Sequence, residues 1–276
     1  MVDISIRVRS TDEGFAEAFR WHLTPFRRER PDPDYEGVHL YVHPDHAEHT
    51  PPPYTYTRGL EMRFEEPSLS TAFVRALTEL QDHVSESVRS FVALHAGAVA
   101  TDEGALLLPA PTKRGKSTLV AGLLARGFRY LSDEAGLVDP VTSQAHPFPR
   151  RITLQEVAVA RFPGLEDRLQ DREGLRGHPF YRYARPEDLG SETGQASTIR
   201  WLVFPGPDRS GSPRLSPIGR AEAVEQMAAN CFNLHRYRDR GVIVLSRVAE
   251  HAEAYRLEGG TVADRTDLLA ERFLAA

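Results

Sequence analysis

Leu106-Leu107-Leu108-Pro109-Ala110-Pro111-Thr112-Lys113-Arg114-Gly115-Lys116-Ser117-Thr118-Leu119 changes period in the middle, and that change decides the fold. A short apolar run of strand type gives way to a loop with two prolines and a glycine. A helix then follows over residues 116–126, with Gly127 as its C-cap. Residues 110–117 complete a G-x-x-x-x-G-K-[ST] pattern in which Ala110 replaces the first glycine. A strand that runs through such a loop into a helix aims backbone N–H groups and the helix N-terminus at one point, where phosphate is the natural ligand. In this pattern Lys116 reaches the β and γ oxygens of ATP and the Ser117 hydroxyl ligates Mg2+. The nucleotide contacts expected are Ala110, Pro111, Thr112, Lys113, Arg114, Gly115, Lys116, Ser117 and Thr118.

Composition sharpens this reading. Of 34 basic residues in the 276, only Lys113 and Lys116 are lysines and the other 32 are arginines. A chain that writes Arg everywhere else keeps Lys where a compact charge must fit a phosphate, a place the planar guanidinium does not fill. The formal net charge of −5 argues against a nucleic-acid partner held by phosphate neutralisation. One cysteine, Cys231, allows no internal disulfide. The best apolar run, residues 91–100, is about half of the ~20 residues a membrane span needs. A cytoplasmic protein with no membrane partner is the expectation.

Outward from the loop, residues 94–100 and 105–108 read as two strands joined by the turn Thr101-Asp102-Glu103-Gly104. Residues 128–131 and 137–138 read as further strands. Between them stands Asp133-Glu134, in which one carboxylate can hold Mg2+ and the other can orient or deprotonate an incoming hydroxyl. Which acid does which is open. Toward the C-terminus we expect strands at 201–204 and 242–245 and helices at 220–230 and 266–274, with long loops over 140–194. Residues 1–66 read as short strands and turns, with strand candidates around Ile4, Ile6 and Val8 and at 38–42. Apolar residues from Phe73 to Phe91 recur every three or four positions, which predicts a helix opened by Ser68 or Ser70. The expected division is a small N-terminal α+β domain, 1–90, and a P-loop domain, 91–276. His43, His46 and His49 with Asp45 have a metal-like spacing, but the prolines around them make a turn-rich loop the better reading. Tyr181, Arg182 and Tyr183 read as a packed loop rather than a peptide or base site.

Leu94-His95-Ala96, the phosphate loop, Leu123-Leu124-Ala125-Arg126-Gly127-Phe128-Arg129, Ser132-Asp133-Glu134 and Pro147-Phe148-Pro149-Arg150 together resemble, in order and spacing, the HPr kinase/phosphorylase group and its HPr-kinase-related members. The resemblance runs well over 94–155, faintly over 199–255 and not at all before Phe91. It implies an α/β fold with the mixed-sheet P-loop core that these proteins share with phosphoenolpyruvate carboxykinases. It further implies ATP- and Mg2+-dependent phosphoryl transfer to a serine-like hydroxyl, with the second acid as base. That acid is Glu134, where HPr kinases carry Asp. His95, 21 residues before Lys116, falls where the family places a functional histidine. Arg150, Arg151 and Arg220 are candidates to meet substrate or transition-state charge. The family signature that handles HPr is not recognisable, so the expected acceptor is an unidentified protein, peptide or small molecule. An assembly with a second copy of the chain is compatible with the sequence. Two other readings are a nucleotide-gated binding protein that transfers no phosphate and a carboxykinase-like enzyme acting on a small acid.

Overall fold

The structure, a computed structural model, describes residues 4, 7–10, 12–26, 39–44, 54–58, 61–162, 164–169, 181–207 and 211–274. The chain divides into two compact units, residues 1–87 with 170–181, and residues 88–169 with 182–276.

In the first unit, β1 (Arg7–Ser10), β2 (His39–Pro44), β3 (Tyr54–Arg58) and β4 (Glu61–Glu66) form a sheet in that order. β1 and β2 are parallel and the remaining pairs antiparallel. Residues 1–66 are not all strand and turn, however, since α1 (Glu13–His22) lies among them. The Asp12 carboxylate accepts from the Phe15 N–H at 2.7 Å and caps that helix, which satisfies one of its orphan donors. Phe15 and Phe19 on its buried face meet Phe73 of α2 (Leu69–Ser87), the Phe19 and Phe73 rings lying edge to face at 5.2 Å. Ser68 opens α2 by accepting from the Thr71 N–H. The helix ends at Ser87, short of Phe91. Beyond it, buried Asn233 donates to the Val88 and Phe91 carbonyls and accepts from the Ala93 N–H. The apolar rhythm continues past the helix because Val88 and Phe91 are buried in the second unit.

The second unit is α/β, built on a mixed sheet. In chain order its elements are β5 (Val92–Ala100), β6 (Ala105–Pro109), α3 (Lys116–Leu124), β7 (Arg129–Ser132), β8 (Ala135–Val138), β9 (Gln144–His146), β10 (Ile152–Gln155), the short α4 (Glu156–Val159) and α5 (Leu165–Arg168), and β11 (Tyr181–Ala184). They continue with β12 (Ser197–Pro205), β13 (Arg214–Pro217), α6 (Arg220–Ala229), the short α7 (Leu234–Tyr237), α8 (Asp239–His251), β14 (Glu253–Glu258) and α9 (Val262–Phe273). The main sheet has eight strands, ordered β13-β14-β12-β6-β5-β8-β9 with β7 beside β5. β12 runs parallel to β6 and β14, while β5 is antiparallel to β6, β7 and β8. β9 also pairs with β12, closing the path of β12, β6, β5, β8 and β9 into a ring.

Alternation in β6 and β12 shows how the sheet is covered. Leu106, Leu108, Trp201 and Val203 face one core with Leu119 and Leu123 of α3 and Leu269 and Phe273 of α9. Leu107, Leu202 and Phe204 face the other with Ala223 and Met227 of α6 and Val244 and Leu245 of α8. This is the period-2 pattern of a sheet buried on both faces. At Gly97 of β5 an added Cβ would stand 2.7 Å from Val120 Cγ2, and at Gly122 of α3 one would stand 2.7 Å from Thr266 Oγ1. Helix α3 is therefore packed on both sides through glycines.

The expected strand at 242–245 is a correction: these residues lie inside α8. Val244, Leu245, Val248 and Ala249 are buried while Val242 and Ile243 are exposed, a helical stripe that the apolar run conceals. The strand of that region is β14, held between β12 and the edge strand β13. The last helix begins at Val262, where Thr261 and Asp264 form a capping box. Among the described residues of 140–194 the structure places β9, β10, β11, the short helices α4 and α5 and a 3₁₀ turn at Pro186–Leu189 among loops.

Candidate functional site

The loop between β6 and α3 is exposed over residues 111–115, while Ala110 and Lys116 at its two ends are buried. Lys113 and Gly115 have φ of +65° and +75°. Left-handed backbone costs glycine nothing and Lys113 of order 1 kcal/mol or more. Ala110 is not among the positive-φ residues, so its methyl group is accommodated where the pattern carries glycine. The N-cap of α3 is Gly115, and no side chain caps the helix. Its first N–H groups thus face the exposed loop without a competing side-chain acceptor.

Lys116 folds back over this loop, its Nζ donating to the Ala110 carbonyl at 2.8 Å and to the Pro111 carbonyl at 3.1 Å. Burial lowers its pKa from 10.5 to about 8, against the pull of Glu134 and Asp133. Its ammonium stands 2.9 Å from His95 Nε2, and the same nitrogen lies 3.1 Å from Glu134 Oε1. One imidazole nitrogen therefore sits between a cation and a carboxylate, and its tautomer sets which neighbour it serves. His95 is fixed in place by its backbone: its N–H donates to the Asn230 carbonyl, its carbonyl accepts from the Ala110 N–H, and its ring lies 5.2 Å from that of Phe232.

Asp133 and Glu134 occupy the bend between β7 and β8. The Ser132 hydroxyl accepts from the N–H groups of Glu134 and Ala135, which sets that bend. The two acids have different surroundings. Asp133 is fully buried. Its Oδ1 accepts from the Tyr130 hydroxyl at 3.0 Å, and its Oδ2 from the Thr153 N–H at 3.2 Å and from Arg150 at 3.1 Å. Burial pushes its carboxyl up, opposed by Arg150 and by the Ser117 hydroxyl. Burial works in the same direction on Glu134, but His95, Arg150 and Lys116 outweigh it and hold that carboxyl below its usual value. A quarter of the Glu134 side chain is exposed. Tyr130, pushed well above its ordinary value by burial and by Asp133, keeps its proton and remains a donor.

The structure thus brings together His95, Lys116, Ser117, Asp133, Glu134 and Arg150 from four separate stretches of chain. Arg220 is not among them. It is the first residue of α6, whose other end leads to Asn230 beside His95, and ten residues of helix set the two about 15 Å apart. Arg151 is half-buried next to Arg150. Arg182 pairs with Glu156 at 3.2 Å and Tyr183 is buried, so these residues do pack, but on the strand β11 paired with β10 rather than on the expected loop. Of the histidine-rich loop only His43 falls within the described residues, and Asp45, His46 and His49 lie outside them. Sequence reasoning missed Tyr130 and Thr153. Tyr130 reads as an ordinary core aromatic on a strand, and Thr153 takes part through its backbone N–H to Asp133 and its hydroxyl to Arg150, contacts that no sequence pattern marks.

Among the described residues no group of three His, Cys, Asp or Glu side chains is arranged to hold a metal ion, and no helix is long and apolar enough to cross a membrane. Magnesium is typically held by one or two carboxylates together with water and substrate phosphate. Ser117 and the acid pair are oxygen donors of that kind. Compared with known protein families and with curated proteins, the chain finds no match.

Proposed function

We propose that this protein is an ATP- and Mg2+-dependent kinase, of the P-loop type found in HPr-kinase-related proteins, that transfers the γ-phosphoryl group to a serine-like hydroxyl of a protein, peptide or small molecule. One observation carries the reading. Lys116, at the mouth of an exposed phosphate-type loop, and Glu134, a partly exposed and ionised carboxylate, approach the same His95 nitrogen at 2.9 and 3.1 Å. The sequence resemblance over 94–155 supports the same assignment. Magnesium-ATP, once bound, supplies the transferable phosphoryl group and the Lewis acid that eases its departure.

In this reading, the loop N–H groups and the start of α3 bind the phosphates. Lys116 exchanges the Ala110 and Pro111 carbonyls for β and γ oxygens. Glu134 takes the acceptor's proton as its oxygen bonds to the γ phosphorus and the bond to the β-phosphate oxygen breaks. Asp133, whose oxygens are already engaged by Tyr130, Thr153 and Arg150, is the less available of the two acids for proton transfer and serves beside Ser117. His95 holds the Glu134 carboxylate toward Lys116.

Glu134→Gln preserves shape and removes basicity. It should leave magnesium-ATP binding within a few-fold of wild type and cut labelled-phosphate transfer to acceptors in a cell extract by about 10²–10⁴-fold. Transfer at the wild-type rate would remove Glu134 as the base. Wild-type protein that binds magnesium-ATP yet labels no acceptor would instead support the nucleotide-gated binding protein.

A further inference from the structure

Arg150 and Lys116 are the two buried cations of the site, and the donors that Arg150 uses point inward. Its side chain is 6% exposed. One terminal nitrogen donates to the Thr153 hydroxyl at 3.1 Å. The other reaches Asp133 Oδ2 at 3.1 Å and Glu134 Oε2 at 3.5 Å. Nε lies 3.1 Å from Asp133 Oδ1 as an ion pair, without a straight hydrogen bond. A cation that meets a transferring phosphoryl group must have N–H groups aimed at it. This guanidinium has instead turned its fork onto the acids.

Two adjacent carboxylates repel each other, and left alone they would rotate apart. Here one guanidinium nitrogen spans both. Tyr130 and Thr153 fix the rotation of Asp133, so the remaining freedom belongs to Glu134. By drawing Oε2 toward itself, Arg150 leaves Oε1 facing His95, 3.1 Å away. We propose that Arg150 is the positioning residue of this site: it holds Asp133 and Glu134 as one unit, turns Glu134 toward His95 and Lys116, and makes no contact with the donor phosphates. The assignment rests on the kinase reading above and gives Arg150 a role other than the transition-state cation expected from the sequence.

The test uses ATP turnover by the full chain with Arg150→Lys, Glu134→Gln and the double variant. Arg150→Lys keeps the charge but loses the fork. It should lower kcat about 10–100-fold, as loss of a supporting residue does, while KM for magnesium-ATP moves less than about threefold. In the Glu134→Gln background it should cost less than about threefold, because the carboxylate it aims is already gone. An equal cost in both backgrounds would mean that Arg150 acts on phosphate directly, and would overturn the proposal. So would unchanged kcat per folded molecule with only the melting temperature lowered. If the wild type turns over no ATP even with a cell extract present as the source of acceptors, the kinase reading fails on its own. Urea-unfolding cycles of Arg150→Met with Asp133→Asn and with Glu134→Gln then decide the holding role: coupling with both acids supports it, and additivity with Glu134 overturns it.

Discussion

Lys116 offers a measurement that joins the fold to the proposed chemistry. Its pKa falls from 10.5 to about 8 because it is buried, and it is only 5% exposed. Below pH 8 the amine is charged in both folded and unfolded chains, and the folded state bears the full cost of burying that charge, about 3 kcal/mol for 2.5 pK units. Between pH 8 and 10.5 the folded chain has released the proton and the unfolded chain still holds it, so stability rises with pH. The difference in unfolding free energy between wild type and Lys116→Met isolates this contribution. It should shift in favour of wild type by about 2 kcal/mol between pH 7 and 9.5, read by urea denaturation at several pH values. The same proton is needed to meet phosphate. Wild-type affinity for ATP should therefore fall by up to about tenfold per unit above pH 8, and Lys116→Met should bind weakly with no such slope. A flat stability difference from pH 7 to 9.5 would refute the argument that burial depresses this amine.

Three further outcomes test the packing around the site. Asp133→Asn leaves the Arg150 guanidinium buried with Glu134 alone near it, and should cost about 3 kcal/mol in urea unfolding; a loss under about 1 kcal/mol would mean the pair is not held as described. Gly97→Ala puts a methyl group into Val120 and should destabilise the fold by about 1–3 kcal/mol, with Val120→Ala in the same chain costing less than the sum of the two changes. Leu245→Ala should cost about 2–5 kcal/mol and Ile243→Ser within about 0.5 kcal/mol, as calorimetry would show; the reverse order would contradict the inward face of α8.

The core from β5 to β8 could be read from the residues because its punctuation is local. Thr101 to Gly104 makes the hairpin, Gly115 opens the helix, Gly127 closes it, and Asp133-Glu134 interrupts two apolar runs. Elsewhere the deciding information is not local. Val242 to Leu245 are four consecutive apolar residues, and only the neighbours Val248 and Ala249 with the sheet beneath them show that two of the four face water. β14 is half polar and owes its existence to hydrogen bonds with β12 and β13. α1 carried its signals openly, with Asp12 as cap and Phe15, Ala18 and Phe19 on one face, but the strand-like sequence around it masked them. At the site, Lys116 was legible from the loop motif and the Asp133-Glu134 pair from its place between two strands, while His95 was pointed to only by the family resemblance. The contact of Arg150 with both acids was not legible: the sequence offers this arginine only as a candidate to meet substrate or transition-state charge, and its placement against 133 and 134 depends on a chain reversal that no local pattern marks.

The two glycines that press α3 between β5 and α9 also constrain how this sequence can change over time. With no side chain at Gly97 or Gly122 to absorb a shift, a larger residue at either position must arrive with a smaller one at Val120 or Thr266, or the helix moves as a rigid rod and carries Lys116 with it. Relatives of this chain should then show paired exchanges at 97 with 120 and at 122 with 266, while the exposed positions 112–114 vary independently. The aim of the loop between β6 and α3 would be inherited through residues far from any ligand that the loop is proposed to hold.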